Sequence, residues 1–409
     1  MPTVAQARLS TIQRTIARWE NEAARPGERY QLLLAHVYAD QGGTTALGPG
    51  SDFDQLMTVF AMYGIEAPRI SELRDLVADA LTSGTSGLLA FLSPNLTASL
   101  MPALADPRRT DDELLAQLGT AVADLNGRIG AVPFVRLQLG LVPITESCRT
   151  LLAGPVPDDL REQLLSISST ACTLAARLAF ETYDDPSSNG FYSEALAAAS
   201  PLPDPSRRAM VRTSQTMVTL YSTGDLGKAQ SIAAEAVRDA QQGRSVLVRA
   251  RAYALQAEMS ARAGEIRRAF SALHIASHQV DRADTEDPAP GSFDAGRLHG
   301  FEGLCHLYAG DPAKAESQFA DSASALRQPR DAVQRGIVLT DRAMARIRLD
   351  APTAAAELLH ECVDLTASTR GRVAAQRIRE ARLALSPWRN ERFVAELDDH
   401  MHSALIAGT

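Results

Sequence analysis

Four short turns, spaced almost evenly, constrain most of what this chain can become. GDLGKA (Gly224–Ala229), GEIRRA (Gly264–Ala269), GDPAKA (Gly310–Ala315) and DAPTAA (Asp350–Ala355) share one layout: a small or acidic turn residue, then Ala five positions later. The alanines stand 40, 46 and 40 residues apart. Seven residues after each comes Ala236, Ala276, Ser322 or Cys362; twelve before each comes Met217, Ala257, Gly303 or Ala343. Small residues at fixed places let paired helices approach closely. Each turn therefore reads as the corner of a helical hairpin, and hairpins stack by burying a shared face. An earlier corner is expected in ETYDDPSSNGFYSEA (Glu181–Ala195), with Asp185 39 residues ahead of Gly224.

The rest of the chain agrees with an all-α fold. Aromatic residues make up only 5% of the 409 positions, and no sustained alternation of apolar and polar residues marks a strand. Residues 40–51, DQGGTTALGPGS, read as a linker. Residues 52–160 read as helices split by Pro94, Pro102, Pro107, Pro133, Pro143, Pro155 and Pro157, with no assignable fold. Residues 161–409 hold the repeats and a C-terminal cap. A net charge of -8 argues against general coating of nucleic acid, but residues 1–30 carry five Arg against three Glu. An anionic partner would therefore meet this basic head rather than the acidic body. Lysine occurs only at Lys228 and Lys314, so abundant arginine is by itself weak evidence of phosphate binding. The four cysteines lack metal-type spacing and suit reduced thiols. With no 18-residue apolar run and no leader-like start, the expectation is a soluble, cytoplasmic protein without membrane contact.

The head itself has a pattern. On a helical wheel Ile12, Ile16, Trp19 and Ala23 form one stripe, read as buried. The opposite face carries Arg14, Ala17, Arg18 and Asn21. Arg14 and Arg18 lie one turn apart and suit a phosphate or a guanine edge; Asn21 or Gln13 suits adenine. Pro26 fits the first turn of a following helix, whose apolar face would be Tyr30, Leu33, Leu34 and Val37.

The order Thr15-Ile16-x-x-Trp19-Glu20-x-x-x-x-Arg25-Pro26 resembles the recognition helix and following turn of lambda-repressor-like helix-turn-helix regulators of the xenobiotic-response-element type. The resemblance implies that Gln13, Arg14, Thr15 and Arg18 face bases in the major groove and that Arg25 lies near phosphate. The expected head, residues 1–39, is N-terminally truncated: Pro2 to Arg8 supply only the second helix of that family. Gln6, Ile12 and Glu22 replace its usual Ala, Ser and Gly. Residues 165–385 resemble tetratricopeptide repeats, GDPAKAESQF (Gly310–Phe319) most closely. The period exceeds the usual ~34 residues, and ADTEDPAPGSFDAG (Ala283–Gly296) is one reason. A helix-turn-helix head on such a body is a common arrangement in regulators from high-GC Gram-positive bacteria.

Tetratricopeptide geometry implies a concave face bearing Ser214, Tyr221, Arg251, Glu258, Arg262, Arg297 and Arg348, where a peptide, small-molecule or protein effector would bind. Thr369–Arg392 carries seven Arg, read as the polar face of a terminal capping helix, with Trp388 sealing the core. His360 with Cys362, and Asp398, Asp399, His400 and His402, lack the third and fourth ligands that a metal needs. No glycine-rich phosphate loop, no G-x-S-x-G elbow and no paired acid and base stand out, so neither catalysis nor a cofactor is expected. The reading is an all-α protein in which a short helix-turn-helix segment precedes an α-solenoid of tetratricopeptide-like hairpins. It would be a dimeric regulator that binds double-stranded DNA and senses an effector. The alternative is a repeat scaffold for proteins or peptides that never touches DNA.

Overall fold

The computed structural model describes residues 16–19, 26, 28–40, 47–82, 89, 91–369 and 371–406. Among them the protein is an all-α solenoid of consecutive helical pairs, without a β-strand. It falls into two compact units: residues 1–120 with 138–161, and residues 121–137 with 162–409. No helix among the described residues is long and apolar enough to cross a membrane.

In the first unit α1 (Glu28–Asp40) packs against α2 (Asp52–Met62) and α3 (Ala67–Thr82); α4 (Pro94–Ala105) follows. Ser51 caps α2 by accepting from the Asp54 amide. The buried stripe of α1 is Leu32, Ala35, His36 and Ala39, at spacings of three and four. This corrects the expected apolar face: Tyr30 and Val37 are exposed, and Leu33 and Leu34 only half-buried. The reason is crowding. α1 is covered by two helices, and the small side chains of Ala35 and Ala39 let them close in where Tyr30 and Val37 would not. The helix also begins at Glu28, so Pro26 precedes it; its carbonyl accepts from Gln31 Nε2 at 2.9 Å.

The chain then runs through α5 (Asp112–Gly127), α6 (Phe134–Ala153) and α7 (Asp158–Glu181). In the second unit α7 pairs with α8 (Asp185–Ala199), sharing buried Cys172, Ala176, Tyr192 and Ala195. The four expected hairpins follow: α9 (Ser206–Thr223) with α10 (Leu226–Gln242), α11 (Val246–Arg262) with α12 (Ile266–Asp281), α13 (Ala295–Tyr308) with α14 (Pro312–Ala325), and α15 (Ala332–Arg348) with α16 (Pro352–Thr369). Each first helix also packs on the hairpin before it.

The corners show why the turn residues are what they are. Gly224, Gly264 and Gly310 adopt φ of +69°, +79° and +83°, the left-handed conformation that reverses the chain most cheaply with glycine. Asp350 at φ +59° and Tyr183 at φ +61° do the same with side chains attached. The early corner therefore centres on Tyr183, two residues ahead of the expected Asp185. Asp184, Asp225 and Asp311 each cap the following helix. Five residues past the turn, Ala229, Ala269, Ala315 and Ala355 are all buried, as are Ala236, Ala276, Ser322 and Cys362 seven further on.

After α16 come α17 (Arg372–Ala384) and α18 (Arg392–Met401), with Trp388 between them against the last core cluster. α17 packs on α15 and α16 and also returns to the start of the unit. Val373 shares a core with Phe180, Tyr192 and Val218. Its amide donates to Glu181 Oε2 at 3.2 Å, and the Arg372 guanidinium lies over Phe180 and Tyr183 while bonding Asp185 at 2.6 Å. The second unit thus closes on itself.

One position tests the close-packing argument directly. A Cβ on Gly303 would lie 2.7 Å from the Phe319 ring. Gly303→Ala is expected to lower stability by about 1–3 kcal/mol despite the better helix propensity of Ala. Thermal denaturation followed by circular dichroism would show a melting point above the native one if close packing were unimportant there.

Candidate functional site

Ring closure leaves a cavity of about 410 Å³ inside the second unit, within the range of small-molecule sites. First helices of the hairpins supply most of its wall. Met217, Leu255, Phe301, Leu304, Ile337 and Val338 form an apolar side. The loop between α12 and α13 adds Ser292 and Phe293. That loop is pinned by Asp287, whose carboxylate accepts from Ser245 Oγ (2.7 Å) and from the amides of Val246 (2.8 Å) and Leu247 (3.2 Å) at the start of α11. Those donors hold the Asp287 carboxyl below its ordinary range against the effect of burial.

The polar side is crowded with ions. Four carboxylates line the cavity, and each is engaged. Asp331 accepts from Arg297 at 2.8 Å, Asp341 from Arg377 at 2.5 Å, and Glu258 from Arg262 at 2.9 Å. Glu181 accepts from the backbone of α17. Burial pushes the Asp341 and Glu181 carboxyls up, opposed by Arg377 and Arg177 respectively. Arg377 also donates to the Tyr221 hydroxyl and stacks 5.2 Å from its ring. Arg262 bridges Glu258, Tyr308 Oη (2.9 Å) and Tyr221 Oη (3.3 Å).

Three lining arginines are different: the exposed Arg330, and the half-buried Arg177 and Arg251. Arg177 and Arg251 line the cavity, yet neither makes a hydrogen bond or ion pair with protein among the described residues. Burial, with Arg177 and Arg297 close by, pushes the Arg251 guanidinium down to about 10. Tyr192 beside them donates or accepts with Ser214 at 2.8 Å, and burial raises its phenol to about 12.

Of the groove residues read from sequence, Ser214, Tyr221, Arg251, Glu258 and Arg297 line one cavity. Arg262 stands behind it, holding Glu258. Arg348 is exposed and donates to Leu307 O at 2.6 Å, outside the lining. Arg251 and Arg297 occupy the same register, thirteen residues ahead of Gly264 and Gly310. Sequence reasoning missed Arg177, Arg377 and Phe293. Arg177 precedes the displaced corner, Arg377 comes from the cap, and Phe293 lies in a loop with no repeat register.

The candidate DNA-binding residues Gln13, Arg14, Thr15, Asn21 and Arg25 lie outside the described residues, as do Ile12 and Ala23. Arg18 is described, helical and exposed. Trp19 is half-buried, its ring 4.9 Å from Tyr30 and its carbonyl accepting from Tyr63 Oη at 2.7 Å. Ile16 corrects the expected buried stripe: at 39% exposed it faces outward. The described neighbours Tyr30 and Tyr63 hold Trp19, not Ile16.

Elsewhere, arginines of the C-terminal stretch pair with acids: Arg372 with Asp185, Arg377 with Asp341, Arg382 with Asp398 and Arg392 with Glu396. His360 and His400 stack with centroids 5.0 Å apart and share an Nδ1–Nδ1 contact of 2.8 Å; His400 Nε2 reaches Asp364 at 3.0 Å. Among the described residues no group of three or more metal-type ligands converges.

The fold and cavity define a helical-repeat protein with an arginine-rich cavity. No family model matches the chain, and no curated protein matches it. Among solved structures the chain is similar to BtubC (BKLC) from P. vanneervenii, at 15% identity and a TM-score of 0.41, over 57% of this chain and 91% of that one.

Two outcomes are expected. Arg377→Ala would leave Asp341 buried without its cation and is expected to cost about 3–5 kcal/mol, measured by chemical denaturation; a loss below 1 kcal/mol would mean that the closure is dispensable. His360 has its proton affinity lowered by burial and by His400. Its contribution to stability is therefore complete above the unfolded value near ~6.5 and is lost as pH falls below it. The melting point should drop between pH 7 and 5, and His360→Asn should flatten that slope.

Proposed function

We propose that this protein is a ligand-responsive transcriptional regulator. The N-terminal segment binds double-stranded DNA, and the helical-repeat body holds an effector in its cavity. The observation that carries the reading is the chamber in the second unit, roomy enough for a small molecule and lined by Arg177 and Arg251, which donate no hydrogen bond to protein. The exposed Arg18 and the helix-turn-helix resemblance of its surroundings support the DNA-binding half. The protein acts as a dimer, because one short head makes too few base contacts for useful specificity and two half-sites supply them.

Effector coupling follows from the closure. The cavity wall is built from hairpins and from the cap that joins last helix to first, so a ligand touching both favours one curvature of the repeat over another. A scaffold that binds partners without DNA is the second reading. It draws on the same chamber and needs no head.

The test is binding of the protein to fragments of its own genomic neighbourhood, titrated with salt, beside an Arg14→Ala/Arg18→Ala variant. Specific binding that weakens with salt and disappears in the variant is expected. Arg14→Ala alone should cost about 1–3 kcal/mol at one base position. Absence of specific binding at any salt concentration would favour the scaffold.

A further inference from the structure

Most charged groups around the cavity form a closed account: Arg297 with Asp331, Arg377 with Asp341, Arg262 with Glu258, Glu181 with backbone amides. Arg177, Arg251 and the exposed Arg330 fall outside it, and the first two are the half-buried ones. A guanidinium on a cavity wall that donates to no protein acceptor keeps its N–H groups available to a ligand. Here two such groups share one wall, with Arg297 adding like charge beside Arg251. Glu181, near Arg177, already accepts from the amides of α17. The same cavity is also lined by Phe301, Leu304 and Ile337.

Resting on the reading of the body as an effector sensor, we propose that the cavity binds a small organic oxyanion. Its carboxylate, sulfonate or phosphate group sits between Arg177 and Arg251, and its apolar part lies against Phe301 and Ile337. Guanidinium groups bind such oxyanions through paired N–H bonds. The enclosing walls strengthen that attraction over its value in water. A neutral ligand of the same shape would leave both cations unpartnered.

The probe is a pair of dyes with the same apolar skeleton: 8-anilinonaphthalene-1-sulfonate, an anion, and N-phenyl-1-naphthylamine, its neutral counterpart. Fluorescence titration of the full chain is expected to give saturable binding of the sulfonate, at least about tenfold tighter than the neutral dye. Arg251→Gln and Arg177→Gln should each abolish that preference while leaving the neutral dye unchanged. Arg251→Gln should melt no lower than the native chain, because it removes a cation from among like charges; Arg177→Gln supplies an independent second variant. Equal binding of the two dyes, or a sulfonate preference surviving both substitutions, overturns the oxyanion assignment and leaves the effector cavity standing. Binding of neither dye overturns both. DNA binding is measured separately, so its failure does not bear on this result.

Discussion

One buried guanidinium holds the second unit in its closed form. Arg377 on α17 donates to Asp341 on α15 and to the Tyr221 hydroxyl on α9. The first bond is between near neighbours in the stack; the second spans most of the repeat. An ordinary solenoid is stabilised by contacts between adjacent repeats alone. Here the cap's Val373, Arg372 and Arg377 also complete the core of the first hairpins. Without that return the cavity would be an open concave surface.

Close approach makes the return feasible. Alanine or another small residue recurs where paired helices cross, so successive hairpins stack tightly. Gly371 belongs to the same economy of space: a Cβ there would lie 2.8 Å from Phe134. The long loop before α13 adds the missing piece of wall, fixed by Asp287 at the N-terminus of α11. Its length is what stretches the interval between the second and third corners.

Much of this was legible beforehand, for a physical reason. Corners and crossing points are local demands: a left-handed turn needs glycine or a tolerant polar residue, and a helix crossing needs a small one. Gly224, Gly264 and Gly310 therefore announced their hairpins. Tyr183 did not, since an aromatic residue in that conformation is rare. The concave positions Ser214, Tyr221, Arg251, Glu258 and Arg297 followed from repeat register. Arg177 and Arg377 did not, because their part in the cavity arises from closure, a contact between residues up to 192 apart in sequence. In the first unit hydrophobicity favours Tyr30 and Val37 for the apolar face of α1, whereas burial there depends on how closely two helices approach Ala35 and Ala39.

The return of the cap to α7–α9 also bears on how the chamber comes into being. Stacked hairpins can form in order as the chain leaves the ribosome, each on the one before. The chamber cannot: its wall is incomplete until α17 has emerged, long after Glu181 and Tyr221. During synthesis the inner arginines stand on an open surface, and a cavity forms around them only in the last step. The same contact ties the ends of the stack together. Fraying from either terminus, the usual mode of loss in a linear array, must first break the seam, which favours cooperative unfolding of the unit over gradual peeling.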